Sequence, residues 1–212
     1  MTKPRRVLLY HLTHVDNLPS IANDGLRSDG DVEDNDLLEV DIGNQDVKAR
    51  RRRMAVPVGP GGVVADYVPF YFAPRSPMLF AIHRGGVPTF SGGQGGLVYL
   101  VARVDTIVDR GLGFALTDRN AASALARFSD RIDDLEELVD WPLMAARMWN
   151  DTLEDPDRMS RRMAEFLVHE RVPWDTFIAL VARTDEEAEN AAARLGNLRG
   201  EIQIVVRPRW YY

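Results

Sequence analysis

The sequence predicts an α+β fold, and three observations carry that reading. Short apolar or alternating runs recur at residues 7–10, before Pro74, and at 97–104, 164–169, 177–182 and 201–206. Helical stretches with their own start and stop signals stand outside these runs. They show no strict strand–helix–strand alternation of a parallel sheet. The third observation is composition: 45% hydrophobic and 27% charged residues over 212 positions is ordinary for one compact domain with an adequate core.

Composition also narrows the function classes. The chain has no cysteine, so disulfides, thiolate metal sites and thiol nucleophiles are excluded. No metal-ligand cluster is recognisable, and no metal is expected. No apolar run approaches the length of a membrane span, and the first apolar stretch is too short for a secretory signal. A cytoplasmic protein without a membrane partner is therefore expected. The net charge of −6 gives no long-range attraction to duplex DNA. The charges are segregated, however: acids crowd 29–41 and 130–140, arginines crowd 50–53 and 158–162. A local basic groove is compatible with that distribution.

Taken in order, Val7–Tyr10 reads as a short strand ending before His11 and Thr13. Asp16-Asn17 then open a helix to about Ala22, closed by Gly25. Residues 27–62 have little periodicity and contain an acidic block, four consecutive arginines and a Pro/Gly loop. By composition the arginine run reads as a solvated face or a nucleic-acid patch. The stretch Asp66–Leu79 starts as an aromatic, β-prone run, breaks at Pro74, and restarts with Ser76 as N-cap and Pro77 at the first helical position. Arg75 stands at this corner, which suits a nucleotide or a stacked base and equally a plain strand with a capped helix. The helix ends at Gly85-Gly86, and SGGQGG at 91–96 reads as a hinge or substrate-side loop. Leu97–Val104 is a strand. Asp118 is expected to cap a helix to about Phe128, and Ser129 to precede a second one ending near Trp141. Arg119, Arg127, Arg147, Trp141 and Trp149 interleave cations with aromatics as single-strand binding requires, and as amphipathic helices also do. Alternation from Ala164 places Glu165, Leu167 and His169 on one strand face. A carboxylate heading an apolar strand is expensive to bury without partners, so Glu165 is a site candidate on physical grounds. Phe177–Ala182, a Thr184/Glu187-capped helix closing at Gly196, and Glu201–Val206 complete the elements.

Four segments together resemble the DarT family of bacterial toxins. They are Tyr10-His11-Leu12-Thr13, Arg50-Arg51-Arg52-Arg53, the Asp66–Leu79 stretch, and Met163-Ala164-Glu165-Phe166-Leu167-Val168, in the family's order over positions 10–168. The resemblance implies an NAD-dependent transferase that moves ADP-ribose to thymidine in single-stranded DNA. It implies a PARP-like ADP-ribosyltransferase fold, two facing mixed or antiparallel sheets with NAD in the cleft. Residues 1–212 then form one domain, with a mobile NAD-covering element at about 35–55 and a target-recognition insertion at about 105–164.

By the same resemblance, Glu165 and Arg51 are catalytic, and His11, Leu12, Thr13, Ser20, Ser28 and Arg51 hold NAD, the co-substrate. Tyr71, Arg75, Met78 and Arg119 contact DNA. In the residues' own terms Ser20 and Ser28 are equally helix and turn serines, and His11 equally a core histidine. The implied partners are thymidine-containing single-stranded DNA and a macrodomain ADP-ribosylglycohydrolase antitoxin, with the toxin a monomer. Two other readings use the same residues: the fold acting on another base, RNA or a protein, and a non-catalytic single-strand-binding module.

Overall fold

The computed structural model describes residues 7–212. In chain order the strands and α-helices are β1 (Leu8–His14), α1 (Leu18–Asp24), β2 (Leu26–Arg27), α2 (Asp29–Asp34), α3 (Gln45–Arg51), β3 (Tyr67–Tyr71), α4 (Pro77–His83), β4 (Leu97–Arg103) and α5 (Val104–Asp109). They continue with β5 (Phe114–Thr117), β6 (Phe128–Ser129), α6 (Leu135–Leu138), α7 (Trp141–Ala145), α8 (Arg158–Arg161), β7 (Glu165–His169), β8 (Arg171–Val172), β9 (Ala179–Ala182), α9 (Asp185–Leu195) and β10 (Gln203–Val206). No helix among the described residues is long and apolar enough to cross a membrane.

The main sheet runs β10-β9-β4-β1-β3-β7-β5-β6 and is mixed: β9 and β10 are parallel, every other pair antiparallel. It consists of two four-stranded halves. β1 pairs with β4 along its whole length, but with β3 only at Tyr10↔Tyr71. Beyond that pair the halves part, and β1 from His11 onward has one edge without a strand partner among the described residues. This seam makes the cleft.

The core follows from strand alternation. β4 is buried on both faces, as its unbroken apolar run LVYLVA requires. Val98, Leu100 and Ala102 meet Leu18 and Ile21 of α1 and Ala191 and Leu195 of α9 in one layer. Leu97, Tyr99 and Val101 meet Leu79 and Ile82 of α4 in the other. Leu100→Ala is expected to cost about 2–5 kcal/mol, read as a lowered denaturation midpoint.

Local signals place several elements as expected. Ser76 accepts from the Leu79 amide at 3.2 Å with Pro77 following, and α1 stops at Gly25, φ 81°. A Cβ at Gly25 would lie 2.8 Å from the Val172 carbonyl oxygen, so only glycine fits.

Elsewhere tertiary contacts override the pattern. β1 does not stop at Tyr10, because β4 pairs with it through His14, so His11 and Thr13 are strand residues. The expected helix 118–128 is a closed loop. The Asp118 carboxylate accepts from the Arg127 amide and Nε, both at 3.0 Å, and from Arg119, pulling the chain back rather than capping a helix. The second helix is a short turn and α6, and Trp141 starts α7 on an Asp140 cap instead of ending it. Because β5 and β6 belong to the sheet, the stretch 105–164 is only partly outside it. Within SGGQGG, Gln94 is buried and grips Tyr212, donating to its carbonyl at 2.8 Å and accepting from its amide at 2.9 Å, which anchors the loop at its centre. Thr184 caps α9, while Glu187 turns back to the Arg183 amide rather than to Thr184.

Candidate active site

A cavity of about 320 Å³ fills the seam where the two halves part. β1 supplies His11, Leu12 and Thr13, α3 supplies Lys48 and Arg51, and Tyr71, Met78 and Glu165 come from the other half and α4. A smaller chamber of about 70 Å³ shares His11, Thr13 and Asn17 and adds Ser20 and Arg27 beneath α1.

Glu165 heads β7 at 1% exposure, and Arg51, the last residue of α3, at 4%. Arg51 Nη1 donates to both carboxylate oxygens, at 3.1 and 3.3 Å, and the Ala121 amide donates to Oε2 at 2.9 Å. Thr117 Oγ1 accepts from the Glu165 amide at 3.1 Å, so β5 and the loop after it fix the residue from behind. Burial pushes the Glu165 carboxyl above its ordinary value, opposed by the Arg51 charge and the Ala121 amide. Burial alone would lower Arg51, but the Glu165 and Asp29 carboxylates outweigh it and hold the guanidinium above its ordinary value.

Arg51 Nε and Nη2 are buried without a hydrogen-bond partner, and Asp29 Oδ2 lies 3.6 Å from Nε. Orphaned buried donors cost about 1–3 kcal/mol each, so a guanidinium with two of them beside a cleft is built for an anionic or carbonyl ligand.

His11 Nδ1 lies 2.8 Å from the Pro69 carbonyl oxygen. A carbonyl only accepts, so Nδ1 carries the proton and Nε2 of the neutral ring offers a lone pair. Burial pushes the imidazole below its ordinary value, despite the Pro69 bond. The unfolded chain therefore binds a proton near pH 6.5 that folded His11 refuses until lower pH, so this group's stabilisation is lost as pH falls below that value. His11→Asn retains a donor to Pro69 and removes the titration. Thermal melts from pH 7.5 to 5.5 are expected to fall less steeply for the variant than for the wild type; parallel slopes would refute this.

Three residues that the sequence reading did not place in the site hold it closed. Asn17, 2% exposed, donates to Val40 O at 2.8 Å and accepts from the Glu39 and Val40 amides, tying the covering segment to α1. Lys48 is buried among Asp41 at 2.9 Å, Glu33 at 3.1 Å and Asp29 at 4.0 Å. Asp29 thus faces both Lys48 and Arg51. The Asn and the acidic block were visible, but their partners lie across loops that no periodicity predicts.

The remaining candidates divide. Thr13 lines both chambers and accepts from Asn17 at 3.3 Å, and Ser20 lines the smaller one. Ser28 does not line either: it is buried and its hydroxyl caps α2 through the Asp31 amide. Tyr71 and Met78 face the cavity, and burial holds the Tyr71 phenol above its ordinary value. Arg75 is not in the cavity wall. It adopts φ 56°, and its guanidinium stacks 4.3 Å from the Tyr212 ring centroid. Arg119 is committed to Asp118, with Asp157 at 3.6 Å, and likewise lies off the cavity wall. Trp141 packs edge-on against Phe72, and Trp149 against Phe80.

The family model described as "ssDNA thymidine ADP-ribosyltransferase, DarT" matches residues 10–212. A DNA ADP-ribosyl transferase of Mycobacterium tuberculosis is 35% identical over 99% of this chain and 91% of its own length. The Thermus sp. 2.9 DarT structure with NAD+ superposes with a TM-score of 0.87 at 33% identity, covering 100% of both chains. The same protein with ADP-ribosylated ssDNA gives 0.90 at 33% identity, covering 100% of this chain and 99% of that one. A Thermosipho africanus fusion of a DNA ADP-ribosyl transferase with a DNA ADP-ribosyl glycohydrolase is 23% identical over 99% of this chain, which spans 50% of the fusion.

Proposed function

The chain belongs to the DarT family, and on that premise we infer that it transfers ADP-ribose from NAD+ to thymidine in single-stranded DNA, releasing nicotinamide. The observation that carries this reading is the buried Glu165–Arg51 pair in the wall of one cavity with His11.

The nicotinamide–ribose bond breaks as positive charge develops on the ribose. A carboxylate fixed beside that sugar stabilises the charge, and Glu165 takes the role, its charged form favoured by Arg51 and the Ala121 amide against the burial that opposes it. His11 Nε2 accepts from a ribose hydroxyl, and the open edge of β1 at Leu12 and Thr13 offers backbone groups to the nicotinamide amide. Ser20 borders the cofactor side; Ser28 supports that wall from behind as the cap of α2. The thymine ring nitrogen loses a proton as it bonds the ribose carbon. Arg51, held in its charged form, does not take that proton, which passes to water at the open groove that joins the cavity at Val47, Asn120 and Met163. Its positive charge beside the ring favours the deprotonated nitrogen. Tyr71 and Met78 wall the base pocket, while Arg75 and Arg119, off the cavity wall, contact the strand beyond the base. A single strand spares the cost of extruding the base.

On this reading the enzyme acts as a monomer in the cytoplasm. The fused glycohydrolase of the Thermosipho relative supports a partner enzyme that reverses the modification, a macrodomain antitoxin to this toxin.

The test is incubation with NAD+ labelled in its adenylate half and oligonucleotides differing only in thymidine content. Label on thymidine-containing single strands, stoichiometric with nicotinamide release and strongly reduced on duplex, is expected. Equal labelling of thymidine-free strands, or of RNA or protein alone, would refute the acceptor. Induced expression in a bacterial host without the antitoxin is expected to arrest growth.

A further inference from the structure

The arginine run, two residues closing α3 and two in the turn after it, divides by its contacts into two pairs. Arg51 faces Glu165, and Arg52 is bonded to Glu33 and Asp34. Arg50, on α3, and Arg53, in the turn after it, line the same groove as Val47 and have no carboxylate partner among the described residues. Both are exposed, and Arg53 is steadied by Nε donating to the Ala49 carbonyl at 3.1 Å. In a chain with 32 acidic residues against 26 basic ones, these two guanidinium groups without a carboxylate partner share one groove.

These two arginines form one wall of an open groove of about 640 Å³. The opposite wall is the loop Asn120–Ala124, small and uncharged, which also delivers the Ala121 amide to Glu165. Val47, Asn120 and Met163 belong to both groove and cavity, so the groove opens directly into the site. A chain entering here meets cations on one side, small side chains on the other, and the catalytic carboxylate at the end.

Resting on the single-stranded DNA reading above, we propose that this groove binds the phosphodiester backbone flanking the target thymidine, with Arg50 and Arg53 each neutralising one phosphate. The fork of a guanidinium matches phosphate oxygens, and small residues opposite leave room for sugar and backbone without selecting a base. The acidic chain thereby acquires strand affinity only at the mouth of its site.

The test compares wild type with Arg50→Ala/Arg53→Ala on two oligonucleotides, one ordinary and one with neutral methylphosphonate linkages flanking a single thymidine. On the ordinary strand the double variant is expected to lose about tenfold or more in kcat/KM through KM for DNA, with KM for NAD+ and the melting temperature unchanged. Two lost phosphate contacts make the log–log salt dependence shallower by about 1.4. On the neutral strand wild type and variant are expected to coincide. A variant that keeps the wild-type DNA KM and salt slope, or still surpasses or trails wild type on the neutral strand by the same factor, overturns the groove alone. Failure of the wild type to label the ordinary strand overturns the acceptor reading on which the groove rests.

Discussion

Replacing Glu165 by glutamine is expected to reduce turnover by about 10²–10³-fold or more while leaving the fold and NAD+ binding largely in place. Glutamine keeps the volume, and its amide oxygen still accepts from Ala121 or Arg51, but the negative charge opposite the developing ribose cation is gone. Alanine is the less informative choice, because it strips Arg51 of its partner and confounds chemistry with stability. The measurement is single-turnover labelling of a thymidine strand, with melting and NAD+ titration as controls. A glutamine variant that retains near-wild-type turnover would remove the charge-stabilisation role from Glu165.

Arg51→Met is expected to be the most damaging single change to the fold within the site. It leaves a carboxylate at 1% exposure with only the Ala121 amide to balance it. Breaking a buried pair from one side costs about 3–5 kcal/mol, a fall in melting temperature on the order of 10 °C for a chain of this size. The sign of the accompanying pH dependence follows. Burial already raises the Glu165 carboxyl, and without Arg51 it rises further, so the folded variant binds a proton that the unfolded chain releases. Its stability should be greatest in acid and fall as pH rises through the carboxyl's folded-state value. Combining Arg51→Met with Glu165→Gln should recover most of the melting temperature and none of the activity. A single variant that melts like wild type at pH 8 would show that the pair contributes little.

The parts of this site that were legible in the sequence are those whose cause is local. Ser76-Pro77 announces a helix start whatever lies around it, and a glutamate heading an apolar strand implies hidden partners. The partners themselves were not legible: Arg51 and Glu165 are 114 residues apart in sequence, and nothing in either segment names the other. Helix capping by Asp118 is a sound local expectation that fails because Arg127 competes for the same carboxylate across a closed loop. Arg75 and Arg119 read as strand-binding cations, and the sequence could not show that one stacks on an aromatic ring and the other pairs with an aspartate, both off the cavity wall. Lys48 reads as one more member of a basic run, and only its burial among three carboxylates marks it as a tie on the covering segment.

The single Tyr10–Tyr71 junction between the two halves of the sheet has a mechanical consequence. Each half has its own dense ladder of amide bonds, so opening at that junction breaks far fewer bonds than unravelling either half. The two halves share one apolar core, so amides bordering the junction, rather than either half as a unit, are expected to exchange with solvent by local opening. On the proposed reading, NAD+ lying in the seam cavity would touch both halves at once. It acts as a crossbeam, and its binding free energy adds to the resistance against opening in proportion to the logarithm of its concentration. If the proposed placement holds, the enzyme is expected to be stiffest with NAD+ bound and to loosen as it is consumed.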